Sequence, residues 1–413
     1  MSWELVVLGE HTKKIGSGST PKGGNSVYVD SGAAFIRSKN VRNLSFDRND
    51  LAHISDKNAD YLKGVEVKEN DVLLNITGDS VARCCLVPND VLPARVSQHV
   101  SIIRPDASID SKYLAYYLVS PSMQNLMLGL AEGSGATRNA LTKEDISEFK
   151  IPLPPLPIQR RIADILSAYD DLIENNQRQI KLLEEAAMRL YREWFVFMRF
   201  PGHESVRIED GVPEGWKVIE LSEAISFNPK YELKENDCNI FVPMQALNES
   251  CMILDDNKLE STNSKSGTKF RYGDTLLARI TPSLENGKTA FVSILGPDEI
   301  GVGSTEFIVM RSKLLNPYLV YCIARSEWFR GIAIESMIGS TGRQRVQSEI
   351  LERVSFHLPP DQILLDFEKN VEPMFMRITR LSKQKHNLQK ARDALLPRLM
   401  NGGEGLKLEG GAV

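Results

Sequence analysis

The most constraining feature of the chain is a long segment without proline or glycine that follows a proline-rich start. Residues 151–157 read Ile-Pro-Leu-Pro-Pro-Leu-Pro, and neither residue type recurs until Pro201. Only the last of these prolines can occupy a first helical position. Apolar side chains then recur at steps of three and four, as on one stripe of a helix. These are Ile158, Ile162, Ile165, Tyr169, Leu172, Ile180, Leu183, Ala187, Leu190, Trp194 and Phe197. A helix of this length would extend roughly 60 Å, which favours a spacer over a core helix.

A second segment repeats this pattern near the end of the chain. His357-Leu-Pro-Pro360 precedes it. Its apolar stripe consists of Ile363, Phe367, Val371, Met374, Ile378, Leu381, Leu388, Leu395 and Leu399. Two striped helices separated by a folded segment are predicted to pair as an antiparallel coiled coil. The alternative is two unrelated surface helices, and helical spacing alone does not separate the two.

Composition indicates a soluble globular protein of two or three domains. The chain has 413 residues, of which 42% are hydrophobic and 25% charged. It contains no apolar run of membrane-spanning length, and its start lacks the layout of a signal peptide. The five cysteines show no metal-ligand spacing, so we expect a cytoplasmic protein with reduced thiols. The net charge of −4 argues against a chain that grips nucleic acid alone, but local basic patches remain possible.

The two halves of the chain share one order of short segments, at spacings of roughly 200 to 215 residues. Each half contains short β-rich runs, polar loops and short helices, which indicates an α+β domain with a twisted sheet. We therefore predict two globular α+β domains joined by two long helices, as a pseudo-twofold internal repeat. The matching segments are 3–10 and 216–223, 69–77 and 271–281, 113–118 and 318–323, and 133–138 and 339–344.

Catalytic motifs are absent from the sequence. Asn316-Pro-Tyr318 is one proline short of an amino-methyltransferase loop. Gly16-Ser-Gly-Ser-Thr20 lacks the Lys-Ser/Thr pair of a phosphate-binding loop. The six histidines are scattered rather than clustered for zinc. We therefore predict that the chain is not an enzyme and holds no metal, and an enzyme with an unrecognised site is the remaining alternative.

The repeated segments resemble the specificity subunit of type I restriction-modification systems over nearly the whole chain. The resemblance rests on Gly18-Ser-Thr-Pro21, on residues 35–41, 71–78 and 133–138, and most specifically on residues 151–166. It implies target recognition domains at residues 1–155 and 215–358 and spacer helices at 156–200 and 359–400. A linker at 201–214 and a disordered tail at 401–413 complete the expected organisation.

The resemblance also implies a function and a set of partners. The chain would be a non-catalytic reader of double-stranded DNA, with one domain for each half of a bipartite target. Two modification (methyltransferase) subunits would dock on the spacer helices, and restriction/translocase subunits would join them. S-adenosylmethionine, ATP and Mg would be bound only by these partners, with no membrane involved. Rigid spacing of two weak readers raises affinity through effective concentration. The alternative is an adaptor whose two repeated domains bind proteins rather than DNA.

Candidate DNA-binding residues are the polar and basic side chains in loops beside the repeated strands, because such side chains contact base edges and phosphates. For each residue, the alternative is a solvated or turn-forming side chain. The candidates in the first half are Thr20, Lys22, Arg37, Lys39, Asn40, Ser80, Arg83, Gln98, His99 and Arg138. Those in the second half are Gln245, Arg279, Thr281, Lys288, Ser304, Thr305, Arg343, Gln344 and Arg345.

Overall fold

The computed structural model describes residues 3–133, 140–233, 239–340 and 342–400. Arg138 and the predicted tail at 401–413 lie outside the described residues. The chain divides into two compact units. Unit 1 comprises residues 1–171 and 388–413, and unit 2 comprises residues 172–387. Each long helix therefore contributes to both units.

Unit 1 is built on two sheets with short helices, as expected for an α+β domain. One sheet has the order β10-β9-β12-β2, and the other has the order β3-β7-β4-β11-β8. The strands are β1 Leu5–Val7, β2 Thr12–Ser17, β3 Tyr28–Val29, β4 Ala33–Ile36, β5 Val41–Arg42, β6 Ser45–Phe46, β7 Ala52–Ile54, β8 Glu66–Val67, β9 Val72–Asn75, β10 Cys84–Leu86, β11 Ala94–Val96, β12 Val100–Pro105 and β13 Lys150–Pro152. The short helices are α1 Asp56–Tyr61, α2 Ser111–Leu118, α3 Pro121–Gly133 and α4 Lys143–Ser147.

Among its described residues, unit 2 repeats this topology except that its second sheet has four strands and no counterpart of the edge strand β3. Its sheets have the orders β22-β21-β24-β17 and β19-β18-β23-β20. Its strands are β14 Ile208–Glu209, β15 Val212–Pro213, β16 Lys217–Glu220, β17 Ile225–Phe227, β18 Asn239–Val242, β19 Glu260–Thr262, β20 Thr268–Phe270, β21 Thr275–Ala278, β22 Thr289–Phe291, β23 Gly301–Gly303, β24 Phe307–Ser312 and β25 Ser355–Leu358. Its short helices are α6 Leu221–Ala224, α7 Pro317–Arg325, α8 Glu327–Glu335 and α9 Ser348–Glu352. In both units one parallel pair, β4–β11 or β18–β23, lies among antiparallel neighbours, which confirms the internal repeat.

The strand that follows each repeated polar turn is buried on both faces. In β9, Val72 and Leu74 pack in one apolar cluster of unit 1, whereas Leu73 packs in a second cluster. In β21, Leu277 and Leu276 likewise belong to different clusters. Side chains alternate between the faces of a strand, so a strand covered on both sides requires an uninterrupted apolar run. This burial explains the matching apolar runs found in the sequence.

A buried carboxylate anchors the start of this strand in each unit. In unit 1, Asp71 accepts hydrogen bonds from Nε and Nη2 of Arg104, each at 2.7 Å, and from the backbone N–H of Lys68 at 2.7 Å. In unit 2, Asp274 accepts from Nη1 of Arg311 at 3.0 Å and from the backbone N–H of Arg271 at 2.8 Å. Both carboxylates are fully buried. The duplicated module therefore includes a polar element that composition and periodicity do not reveal.

The long helices are α5 Leu156–Tyr191 and α10 Asp361–Met400, and they pack against each other within each unit. In unit 1, Nη1 of Arg392 donates to Asp170 at 2.5 Å, and a cluster joins Ile162 to Leu396. In unit 2, Nζ of Lys385 donates to Gln177 at 2.9 Å. Also in unit 2, the Trp194 and Phe367 rings lie 5.8 Å apart. Within each unit, later residues of the first helical segment contact earlier residues of α10. The two helices are therefore antiparallel, as predicted.

The end of the first long helix differs from the predicted stripe. A π-helical turn over Arg192–Val196 follows α5. Trp194 remains buried in unit 2, but Phe197 is 54% exposed. A π-turn contains an extra residue per turn and so rotates the residues that follow it off the stripe. The assignment of Phe197 to the packed stripe was therefore wrong. Leu172, which was also assigned to the stripe, is 46% exposed.

We expect Arg392→Ala to destabilise unit 1. The Arg392 guanidinium is largely buried and bonds both Asp170 and Asp393, and Asp170 also accepts a hydrogen bond from the Tyr116 hydroxyl. Loss of hydrogen bonds between charged groups in such a largely buried position lowers the free energy of unfolding by about 1–3 kcal/mol. Thermal unfolding monitored by circular dichroism measures the loss of stability. The control is Lys181→Ala, which removes one partner of the exposed Lys181–Glu185 pair. Equal destabilisation by both variants would contradict the assignment.

Candidate nucleic-acid interface

The candidate residues of unit 1 that the structure describes lie in loops that meet at one end of the strands of its sheets. We call this region edge 1 and define it as residues 18–22, 37–40, 76–83 and 97–99. The backbone N–H of Gly18 donates to the Val100 carbonyl at 3.0 Å, and that of Ser97 donates to the Ile36 carbonyl at 2.9 Å. Nδ2 of Asn75 donates to the Ser38 carbonyl at 2.8 Å. Loops from distant parts of the chain are thereby joined side by side.

Gly18 is required by this close packing. A Cβ atom at this position would lie 2.0 Å from the Val96 carbonyl oxygen, well inside van der Waals contact. The loop that carries Thr20 and Lys22 can therefore approach β11 only with glycine at position 18. This contact explains why the Gly18-Ser-Thr-Pro21 motif begins with glycine.

Unit 2 has an equivalent region, edge 2, defined as residues 243–245, 279–288, 304–306, 338–340 and 342–346. The backbone N–H of Arg279 donates to the Glu306 carbonyl at 3.0 Å, and that of Thr281 donates to the Gln344 carbonyl at 3.1 Å. The backbone N–H of Ser304 donates to the Val242 carbonyl at 3.2 Å. All the candidates of the second half belong to edge 2.

The exposure of the candidates varies, and Arg138 lies outside the described residues. The exposed ones are Thr20, Lys22, Lys39, Gln98, Gln245, Thr305 and Arg343. The half-buried ones are Arg37, Ser80, Arg83, His99, Arg279, Thr281, Lys288, Ser304, Gln344 and Arg345. Asn40 is fully buried: its Oδ1 accepts from the Arg37 backbone N–H at 3.0 Å, and its Nδ2 donates to the Asp47 carbonyl at 3.0 Å. These bonds make Asn40 part of the turn that presents its neighbours.

Two basic candidates of edge 1 are oriented by a single acidic residue. Nη2 of Arg37 donates to the Asp50 carbonyl at 2.6 Å, and Lys39 forms a 3.0 Å ion pair with the Asp50 carboxylate. The hydrogen bond and charge of Lys39 lower the pKa of Asp50. The Arg37 guanidinium also lies over the Tyr28 ring at 5.3 Å. Arg37 and Lys39 are therefore held at the edge rather than extended freely into solvent.

Side-chain pairs that span two loops are the feature the sequence analysis missed. In unit 1, Oγ1 of Thr77 lies 2.6 Å from Nδ1 of His99. In unit 2, Nε and Nη2 of Arg345 donate to the Glu306 carboxylate at 2.9 and 2.7 Å. The hydrogen bond from Arg345 lowers the pKa of Glu306. Glu306 occupies the place of His99 in the repeat, because its carbonyl accepts from the Arg279 N–H as the His99 carbonyl accepts from the Ile76 N–H.

The two edges share a backbone frame. In unit 1, the N–H of Ile76 donates to the carbonyl of His99, and the carbonyl of Ile76 accepts from the N–H of Leu141. In unit 2, the N–H of Arg279 donates to the carbonyl of Glu306, and the carbonyl of Arg279 accepts from the N–H of Val346. Asn75 N–H donates to the carbonyl of Arg83 at 2.8 Å, and Ala278 N–H donates to that of Lys288 at 3.1 Å. Arg83 and Lys288 thus occupy equivalent positions and both are basic, whereas His99 and Glu306 are equivalent but chemically different.

Across residues 3–133, 140–233, 239–340 and 342–400, no group of three or more His, Cys, Asp or Glu side chains is arranged to hold a metal ion. In the same part of the chain, no helix has the length and apolar character needed to cross a membrane.

Comparisons with known proteins give a consistent result. Residues 2–185 match the family described as "Type I restriction modification DNA specificity domain". The MjaIX type I restriction enzyme specificity subunit of Methanocaldococcus jannaschii is 30% identical over 75% of this chain and 73% of its own length. The HindI specificity subunit of Haemophilus influenzae is 22% identical over 89% of this chain and 93% of its own.

A solved structure shares the fold. The crystal structure of a type I restriction-modification S subunit from M. genitalium superposes with a TM-score of 0.60. The match covers 97% of this chain and 96% of that one, at 14% sequence identity. At this identity, the likeness concerns the fold alone.

Proposed function

The chain belongs to the family of type I restriction enzyme specificity subunits, and from this premise we propose that each unit reads one half of a bipartite DNA sequence through its edge. Edge 1 would read one half-site and edge 2 the other. Half-sites on one face of a duplex lie about one helical turn, ~34–36 Å, apart or at multiples of it. Paired helices of roughly 60 Å are long enough to hold two readers at such a spacing.

The observation that carries this proposal is a common backbone frame with different side chains on it. Arg83 and Lys288 are basic at equivalent positions, which suits contacts to phosphates, because every DNA sequence has them. His99 and Glu306 differ at equivalent positions, which suits contacts to base edges, because base edges differ between sequences. Two readers of different half-sites require this combination.

Local charge also supports DNA as the ligand. The whole chain carries a net charge of −4, yet basic side chains outnumber acidic ones at both edges. The acidic side chains there are Asp79 in edge 1 and Glu285 and Glu306 in edge 2. Edge 1 contributes Lys22, Arg37, Lys39 and Arg83, and edge 2 contributes Arg279, Lys288, Arg343 and Arg345. Neutralisation of phosphates by such residues supplies most non-specific affinity for DNA.

Catalysis would be supplied by partner subunits, and the chain itself would be non-catalytic and cytoplasmic. Two methyltransferase subunits would dock on the long helices and bind S-adenosylmethionine, and restriction/translocase subunits would use ATP and Mg. Exposed apolar side chains on the helices support such docking. Leu172 and Leu182 of α5 are 46% and 54% exposed, and Leu365 of α10 is 51% exposed. Exposed apolar side chains of this kind can be covered by a partner that docks on the helices.

A second function, a protein-binding adaptor without affinity for DNA, is favoured only by the acidic net charge of the chain. The two functions differ in one measurable property. An adaptor would leave the mobility of a DNA duplex unchanged even in the presence of its partners, whereas a DNA reader would shift it.

A gel-shift experiment with the methyltransferase partner tests the proposal. We expect the chain alone to bind DNA weakly and to methylate nothing, because its net charge opposes the phosphates. Addition of the methyltransferase should produce binding that depends on the sequence of the duplex. The control is the methyltransferase without this chain. A complex that binds all duplexes equally, or none, would exclude the proposed function, and methyl transfer by the isolated chain would exclude a non-catalytic role.

A further inference from the structure

Edge 2 contains a side-chain pair at positions where the two units differ in side-chain chemistry. Arg279 of unit 2 and Ile76 of unit 1 occupy equivalent positions. The N–H of Arg279 donates to the carbonyl of Glu306, and that of Ile76 donates to the carbonyl of His99. Isolated β-bridges join Ile280 to Arg345 in unit 2 and Thr77 to Ala140 in unit 1. Glu306 therefore corresponds to His99, and Arg345 corresponds to Ala140. The arginine–carboxylate pair of unit 2 has no counterpart of the same chemistry at this position of unit 1.

The pair is rigid and partly exposed. Nε of Arg345 lies 3.0 and 2.9 Å from the two carboxylate oxygens of Glu306, and Nη2 lies 2.7 Å from Oε1. Bidentate bonds of this kind hold the planar guanidinium in one orientation. The side chains of Arg345 and Glu306 are 39% and 25% exposed. Arg345 is therefore fixed by its neighbour yet remains accessible to a ligand.

Glu306 leaves one side of the guanidinium available. A guanidinium has five N–H groups, and the carboxylate takes those on the side of Nε and Nη2. The outer side, formed by Nη1 and Nη2, retains N–H groups, and the contact from Nη1 to the Arg343 carbonyl is long at 3.4 Å. Two parallel N–H groups from one arginine match the O6 and N7 acceptors of guanine in the major groove.

Resting on the proposed function, we propose that Arg345 reads a guanine in the half-site of unit 2 through Nη1 and Nη2, and that Glu306 is its positioning residue. A phosphate contact does not need a fixed guanidinium, because phosphate is found at every step of the duplex. Lys288 occupies a position that is basic in both units and suits that role. Arg345 occupies a position that differs between the units, as sequence readout requires.

The test uses the complex of the full chain with its methyltransferase and the half-site found by methylation mapping. We expect Arg345→Ala to abolish discrimination at one guanine position, a loss of about 5- to 150-fold, while preferences at the other positions persist. Arg345→Lys should behave similarly, because lysine keeps the charge but loses the planar fork. Glu306→Gln should weaken the same preference. Arg353→Ala, which removes an exposed guanidinium beyond α9, is the matched control.

A base analogue tests whether Arg345 contacts the guanine itself. Replacement of the target guanine by 7-deazaguanine removes the N7 acceptor, so it should weaken binding by the wild-type complex but not by the Arg345→Ala complex. Arg345 would be a phosphate contact, and the proposal overturned, if Arg345→Ala reduced affinity equally for all sequences or if Arg345→Lys retained full discrimination. A wild-type complex without any sequence preference would instead overturn the proposed function, so the two failures are distinguishable.

Discussion

Replacement of residues 1–152 by the corresponding segment of another family member is expected to change one half of the recognised sequence and to leave the other half unchanged. All the loops of edge 1 lie within this segment, and all the loops of edge 2 lie outside it. The junction follows Pro152 because β13 pairs with β1, in a register that joins Leu5 to Pro152. A junction at residue 150 would divide β13 between two parent proteins.

The contacts at this junction favour tolerance of a foreign segment. Gln159, near the start of α5, is fully buried. Its Nε2 donates to the carbonyls of Ser108 and Pro154 at 2.9 and 2.8 Å, and its Oε1 accepts from the backbone N–H of Asp110 at 2.8 Å. All three partners are backbone groups, which any segment with the same local conformation provides. These bonds also explain why the Pro-Ile-Gln sequence at 157–159 is part of the most specific motif.

Genome methylation mapping in a host that carries the chimaera and its methyltransferase provides the measurement. The reciprocal replacement of residues 217–358 is the matched control and should change only the second half-site. A change in both halves, or in neither, with either chimaera would contradict the assignment of one half-site to each unit.

Asp71→Ala is expected to produce a large loss of stability in unit 1. Asp71 is fully buried and pairs with Arg104, whose side chain is only 19% exposed. Removal of the carboxylate leaves Nε of Arg104 and the Lys68 N–H of the preceding turn without their acceptor, whereas Nη2 of Arg104 keeps the Glu66 carbonyl at 3.1 Å. Breaking a buried ion pair by removal of one partner costs about 3–5 kcal/mol. Strands β9, β10 and β12 should then exchange their amide hydrogens faster.

Hydrogen exchange measured by mass spectrometry on the full chain checks this effect and locates it. Asp90→Ala is the matched control, because Asp90 also forms a two-bond contact with an arginine, Arg48, at 2.9 and 3.0 Å, but both side chains are more than half exposed. Solvent screening makes exposed ion pairs contribute little. Similar exchange in the two variants would show that burial of Asp71 does not govern its contribution.

The candidate DNA-binding residues stay a prediction, but the structure shows which of them lie together and which contacts orient them. The sequence pattern places polar loops after strands, and those loops do converge at one edge of each unit. Asn40 has the residue type of a base-reading side chain, yet it is buried in a turn. Glu306 was omitted because an isolated glutamate gives no signal of a bond to Arg345, 39 residues away. Distances along the chain do not predict which loops a sheet brings together.

The two long helices, the duplicated α+β units and the apolar strands could be predicted from the amino-acid sequence, because helical and strand periodicities are local properties repeated over many residues. The exposure of Phe197, the buried bond between Asp71 and Arg104, and the contact of Arg345 with Glu306 became visible only in the folded chain. Each of these depends on the geometry of a turn or on the register between strands. Such contacts join residues far apart in the chain, and no local pattern records them.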